Sequence, residues 1–300
     1  MIRLGILDFD TSHVVEFTKR LNHVNIAEDQ WVDGARVVIG CPGESKIMPE
    51  RIPGYVQQMK EMGIPLVDRP EEMIGRVDGM LIESQEGTVH FERAKPFLEA
   101  GIPCFIDKPF TCSVDHARQL IALADRRKVP IFSSSSLRYA PELAAFVAEK
   151  PLGEVVGALA FGPASENPRN PGLFHYGIHA VEILYTLMGP GCEQVQCTYD
   201  GSSEVTTGRW RDGRVASIRG IRRGAGAYGA TVFCERGVRH LELKTAYIYR
   251  ELLKQIVAMF QTGKPPLDPK ITLEIVGFIE SARESGMNHG LARPVLPERS

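Results

Sequence analysis

Across roughly its first 130 residues the chain alternates short β-branched runs with amphipathic stretches, and that alternation admits few architectures. It predicts a parallel sheet whose crossover helices cover both faces. The expected strands are Arg3–Leu7, Ala35–Ile39, Gly79–Ile82, Pro103–Ile106 and Pro130–Ser133. Between them the apolar spacing predicts helices over Ser12–Leu21, Pro53–Glu61, Val89–Ala100 and Val114–Arg127, with Thr11 or Ser12 and Ser113 as caps. After Tyr139 the pattern changes. A helix over Pro141–Glu149 leads into a strand at Val155–Phe161 and a long apolar helix over Gly172–Leu187; five further strands then run from Gln194 to Leu243 without intervening helices. Helices at Tyr249–Phe260 and Thr272–Ser285 close the pattern. The expected fold is therefore α/β: an N-terminal Rossmann-like doubly wound parallel sheet over 1–135, followed by an α+β domain with a mostly antiparallel open sheet over 136–300.

Composition narrows the partners. Lys+Arg 35 against Asp+Glu 37 gives a net charge of −2, so nothing in the charge calls for nucleic acid or an anionic membrane surface. No stretch is apolar enough for a membrane helix, and the N-terminal Met1–Leu7 enters a strand directly, so no signal peptide is expected. Six scattered cysteines without a CxxC spacing fit reduced thiols and a cytoplasmic location.

A doubly wound sheet invites a dinucleotide, whose pyrophosphate rests on a glycine-rich turn between the first strand and the first helix. Here that turn reads Gly5-Ile6-Leu7-Asp8-Phe9-Asp10-Thr11-Ser12-His13, with two carboxylates where phosphates would approach the backbone. The amides of Thr11–His13 can still hold an anion; Asp10 is equally well explained as a helix cap. A literal G-x-G-x-x-G at Gly224–Gly229 precedes a β-branched run rather than a helix, so a glycine-rich hairpin is expected there. At the end of the second strand Ser45 and Lys46 leave NAD and NADP both open.

From Asp78 onward the sequence resembles the Gfo/Idh/MocA family of oxidoreductases. The run Ala100-Gly101-Ile102-Pro103-Cys104-Phe105-Ile106-Asp107-Lys108-Pro109-Phe110 is similar to the family's A-G-x-x-V-x-x-E-K-P-x; Arg138-Tyr139-Ala140-Pro141 is similar to its R-[FY]-x-P. Tyr176-Gly177-Ile178-His179-Ala180-Val181-Glu182 is similar to its G-x-H-x-x-D. The resemblance implies a dehydrogenase or reductase of a sugar, polyol or related carbohydrate-like small molecule, with NAD or NADP as cofactor and a homodimer or homotetramer as assembly. It further implies that Lys108 and His179 handle the substrate proton, that Asp10, Thr11, Ser12, His13, Ser84, His90, Asp107, Lys108 and Pro109 contact the cofactor, and that Arg138, Tyr139, Tyr176 and His179 contact substrate.

Two positions depart from the family pattern. His175 stands where an acid usually precedes the histidine by four residues, and Glu182 stands for the distal Asp. Without the acid, His175 becomes a further catalytic candidate. On one continuous helix His175, His179 and Glu182 would share a face, which makes them the alternative to a site without metal. The competing functions are a sugar lyase, epimerase or hydratase using His175 and His179, and a non-catalytic carbohydrate-binding protein.

Overall fold

The structure is a computed structural model and describes residues 1–296; the last four residues of the expected second domain lie outside the described residues. In chain order the elements are β1 (Ile2–Leu7), α1 (His13–Asn22), β2 (Ala35–Cys41), α2 (Ile52–Glu61), β3 (Gly79–Ile82), α3 (His90–Glu99), β4 (Cys104–Ile106), α4 (Val114–Arg127) and β5 (Ile131–Phe132). Then follow α5 (Pro141–Glu149), β6 (Val155–Pro163), α6 (Ile178–Met188), β7 (Cys192–Asp200), β8 (Ser203–Trp210), β9 (Val215–Ile221), β10 (Gly229–Cys234), β11 (Gly237–Glu242), α7 (Ile248–Thr262), α8 (Pro269–Met287) and β12 (Arg293–Pro294). No helix among the described residues is long and apolar enough to cross a membrane.

Packing divides the chain into two units. The first comprises residues 1–111, 115–134 and 249–269. Its sheet is parallel throughout in the order β2-β1-β3-β4-β5, with the apolar strand interiors expected of a sheet covered on both faces. Register sets the level of its carboxyl edge: Leu7 pairs with Ile82, and Ile82 with Ile106. The second unit comprises, among the described residues, 112–114, 135–248 and 270–296. Its seven-stranded sheet, ordered β11-β10-β6-β9-β8-β7-β12, is antiparallel except for the parallel pair β6–β9.

Three expectations need correcting. The segment 249–269 packs with the first unit although sequence order places it in the second domain. Arg250 Nη1 donates to the Asp29 carbonyl at 2.7 Å, the Arg20 guanidinium lies over the Tyr249 ring, and Phe260 lies against Gly79, where a Cβ would meet its ring at 2.6 Å. The apolar face of α7 decides its place: Leu252, Leu253, Ile256 and Met259 are fully buried. The glycine-rich stretch at 224–229 is no hairpin, because β9 and β10 lie on opposite sides of β6 and the loop must cross that strand. Finally, the long helix expected from Gly172 is broken. Gly172 has φ +61°, Gly172–Phe174 form a single 3₁₀ turn, and α6 begins only at Ile178.

Burying the four side chains of α7 is worth about 6–12 kcal/mol in gross transfer energy, comparable to the whole stability of a domain. A fragment of residues 1–134 is therefore expected to bind a hydrophobic dye and to unfold in urea without a sigmoidal transition. Joining 249–269 to it through a flexible linker is expected to restore cooperative unfolding.

Candidate functional site

At the carboxyl edge of the first unit's sheet the turn after β1 is shaped by its side chains. Asp8 takes φ +67°, a left-handed conformation that Asp tolerates better than most residues. Its carboxylate accepts hydrogen bonds from the Ser84 hydroxyl and, at 2.9 Å, from Arg93 Nε, while Gly43 packs so close that any side chain there would collide with it. Phe9 is fully buried against Gly40. Asp10 is no helix cap. Its Oδ1 accepts the Gln85 amide at 2.9 Å, and α1 is capped by Ser12 without a side-chain hydrogen bond. Burial pushes Asp8 up to about 6, with Arg93 and Ser84 pulling the other way. Burial likewise raises Asp10 against the opposing hydrogen bonds from Ser45 and Gln85.

Beside this turn lies a cavity of about 310 Å³ lined by Asp10, Glu44, Ser45, Lys46, Ser84, Glu86, Thr88, Val89, Glu92 and Arg93. Thr11 and Ser12 follow Asp10 in sequence at the start of α1, whose first amides lack intrahelical acceptors. The Ser45 hydroxyl accepts the amides of Ile47 and Met48 at 3.1 and 3.0 Å, and Lys46 and Arg93 are the cations of the lining. The lining combines hydroxyls and the cations Lys46 and Arg93 with the carboxyls of Asp10, Glu44, Glu86 and Glu92. A phosphate is accommodated there where those carboxyls are neutral or held by protein donors, as Asp10 is by the Gln85 amide.

Deeper along the edge, His13, Glu83 and Asp107 converge. His13 Nδ1 lies 3.2 Å from Glu83 Oε2 and 3.2 Å from Asp107 Oδ2, and all three residues are buried. Burial works against a charged His13, yet the Asp107 and Glu83 carboxylates outweigh it and raise the imidazole well above its ordinary range. Burial pushes Glu83 up, with the Asp107 charge adding to the effect. Asp107 goes the other way: burial would raise it, but His13 and Lys108 hold it well below the usual carboxylate range. The Lys108 amide donates to Asp107 Oδ1 at 2.7 Å, and the Lys108 side chain is itself buried.

His90 is a tie within the fold. Its Nδ1 faces the carbonyls of Pro109 and Phe110 at 2.8 and 3.2 Å and its Nε2 the Ser84 carbonyl at 2.7 Å, so both ring nitrogens are engaged within the protein.

In the second unit His179, in the first turn of α6, is fixed by the Ser135 hydroxyl at 2.7 Å from Nδ1 and meets the Tyr228 ring edge-on at 5.6 Å. Tyr176 is half-buried, with its ring 5.9 Å from that of His179. His175 precedes α6 and lies outside it, so the helical spacing behind a His175–His179–Glu182 metal set does not exist. Glu182 accepts from Arg138 Nε at 2.6 Å and from the Ser135 amide, a buried ion pair that anchors the turn carrying Tyr139. Among the described residues the one group of three whose possible ligand atoms all lie within 4.8 Å of one another is His13, Glu83 and Asp107. Sequence reasoning missed Glu83, Arg93 and Tyr228, while Ser135 lay within the Ser133–Ser136 run of hydroxyls expected at a strand end. The charge of Glu83, directly after β3, was the available signal, because charge at the edge of a buried strand needs a partner.

Residues 46–135 match the model of an oxidoreductase family with an NAD-binding Rossmann fold, Gfo/Idh/MocA. No curated protein matches the sequence. Among solved structures, the fold is shared with a myo-inositol dehydrogenase from Corynebacterium glutamicum (TM-score 0.80, 14% identity, 99% of each chain). It is shared also with a myo-inositol 2-dehydrogenase from Lactobacillus plantarum (TM-score 0.80, 14% identity, 98% of this chain and 99% of that one). A third is GenD2 of gentamicin A biosynthesis, solved with NAD (TM-score 0.78, 16% identity, 98% and 96%). At these identities the likeness establishes the fold.

The raised Asp8 carboxyl has a signed consequence. Because the folded chain holds that proton up to about pH 6 and an ordinary Asp releases it near 3.8, Asp8 contributes stability below pH 4 that is lost as pH rises through 6. Asp8→Asn is therefore expected to be more stable than the parent above pH 6, by about 3 kcal/mol at most, with the difference vanishing below pH 4. Urea unfolding at pH 4 and pH 7 measures it.

Proposed function

From the match of residues 46–135 to the Gfo/Idh/MocA oxidoreductase model, we propose that the protein is a nicotinamide-dependent oxidoreductase acting on a CH–OH group of a sugar, a polyol or a related molecule. The observation that carries this is Lys108, buried at the carboxyl edge of a parallel sheet, the edge at which such folds bind their ligands. A bound NAD or NADP would supply hydride transfer. The chain's own residues bind, orient and move protons. The amides from Thr11 to His13 are assigned to phosphate, with Ser84 and Lys46 lining the cavity beside Asp10.

Lys108 is assigned the hydrogen bond to the reacting oxygen. Asp107 fixes its backbone, and the carboxylates of Asp107 and Glu83 balance its charge. His179 is assigned the proton of the substrate hydroxyl, with Ser135 in the orienting place of the missing acid. Arg138 holds its turn through Glu182, and Tyr139 and Tyr176 are assigned to substrate. Six scattered cysteines without a CxxC spacing support a cytoplasmic location, and exposed Val156, Val215, Phe233 and Val238 on the second unit's sheet support self-association.

Phosphate brought beside Asp10 raises that carboxyl further, so dinucleotide binding takes up a proton. Calorimetric titration with NAD(H) and NADP(H) is expected to show binding that tightens as pH falls, with Asp10→Asn weakening that dependence. Lys108→Ala is expected to abolish turnover on a panel of inositols and sugars while leaving circular dichroism unchanged; His179→Asn is expected to lower kcat at least a hundredfold. Failure of both cofactors to bind at millimolar concentration overturns the proposal and leaves the non-redox alternative.

A further inference from the structure

We infer that His13, Glu83 and Asp107 form a site for one divalent transition-metal ion of the Zn²⁺ or Mn²⁺ type. The inference stands independently of the dinucleotide. Its first support is geometric. Ligands about 2.0–2.1 Å from a tetrahedral ion lie about 3.3 Å from one another, and His13 Nδ1 stands 3.2 Å from an oxygen of each carboxylate. One imidazole and two carboxylates match the donor preference of these ions, and three protein ligands leave a position open for water or substrate.

The second support is an unsatisfied group. Asp107 Oδ2, one of the two oxygens that converge on His13 Nδ1, is buried and has only that 3.2 Å approach, and Glu83 Oε1, the other oxygen of the second converging carboxylate, is buried with no hydrogen-bond partner. An orphaned buried carboxylate oxygen is costly, and a cation supplies the missing partner. The third support is the surrounding shell. The His13 ring stacks on Phe17 at 4.6 Å and meets Tyr249 edge-on at 5.0 Å, and the Lys108 amide holds Asp107 Oδ1 at 2.7 Å. The amides of Glu83 and Asp107 donate to the Leu7 and Ile82 carbonyls, each at 2.9 Å, so both backbones belong to the ladder. The ligands are thus oriented before any ion arrives.

Co²⁺ is the probe for the test, because its visible spectrum reports coordination. Protein expressed without a histidine tag, stripped with a chelator and titrated with Co²⁺ at pH 7.5 is expected to bind one ion per chain with the d–d bands of a four- or five-coordinate N/O site. Zn²⁺ and Mn²⁺ are expected to displace it. Glu83→Gln and His13→Asn are expected to weaken binding at least a hundredfold while circular dichroism stays unchanged. Binding that persists in both variants would belong to exposed imidazoles such as His240 and His289, and overturns the inference. So does a parent protein that shows no such bands at 1 mM Co²⁺, a result that needs no variant to fold; in that case the cluster is a closed ion-pair triad around an imidazolium.

Discussion

Glu83 and Asp107 follow directly on paired residues of β3 and β4, so the ladder that sets Ile82 beside Ile106 also sets two carboxylates side by side with no water to solvate them. Two buried negative charges at that separation are untenable alone. Everything nearby answers them: His13 reaches in from the first turn of α1, Lys108 follows Asp107 directly, and Phe17 and Tyr249 close over the imidazole. The helix contributing Tyr249 comes from far along the chain, so a local electrostatic demand is met by long-range topology.

The same logic governs the turn after β1. A glycine turn accommodates phosphate by offering bare backbone; this turn offers carboxylates whose negative charge is met inside the protein, by Arg93 and Ser84 at Asp8 and by the Gln85 amide at Asp10. The carboxyl edge is thereby more acidic, and more dependent on protonation, than a glycine cradle would be.

How far the sequence discloses this varies by element. β3, α4 and α5 have the bounds that periodicity predicts, because strand alternation and helix spacing are local properties and strong caps or prolines punctuate them. The helix expected from Gly172 failed because apolar composition alone cannot distinguish one helix from a 3₁₀ turn followed by another, and Gly172 at φ +61° decides it. The crossing of β6 by the 224–229 loop was hidden for a different reason: strand order depends on pairings between residues distant in sequence. Among the candidate residues, Lys108, Asp107 and His179 were singled out through motif spacing. Glu83 and Ser135 belong to none of these motifs, and Tyr228 sits in the 224–229 glycine stretch without being one of its glycines; they come to light only through what they touch.

The return of α7 to the first unit has a consequence during synthesis. The five strands of the parallel sheet are complete once residue 134 has left the ribosome, but the segment that covers part of them ends at residue 269. At typical elongation rates the nascent sheet waits about 10–30 s for that cover. Over that interval its uncovered apolar surface is open to chaperones and to neighbouring chains, so the order of the segments along the gene makes the first unit to be synthesised one that cannot be the first to finish folding.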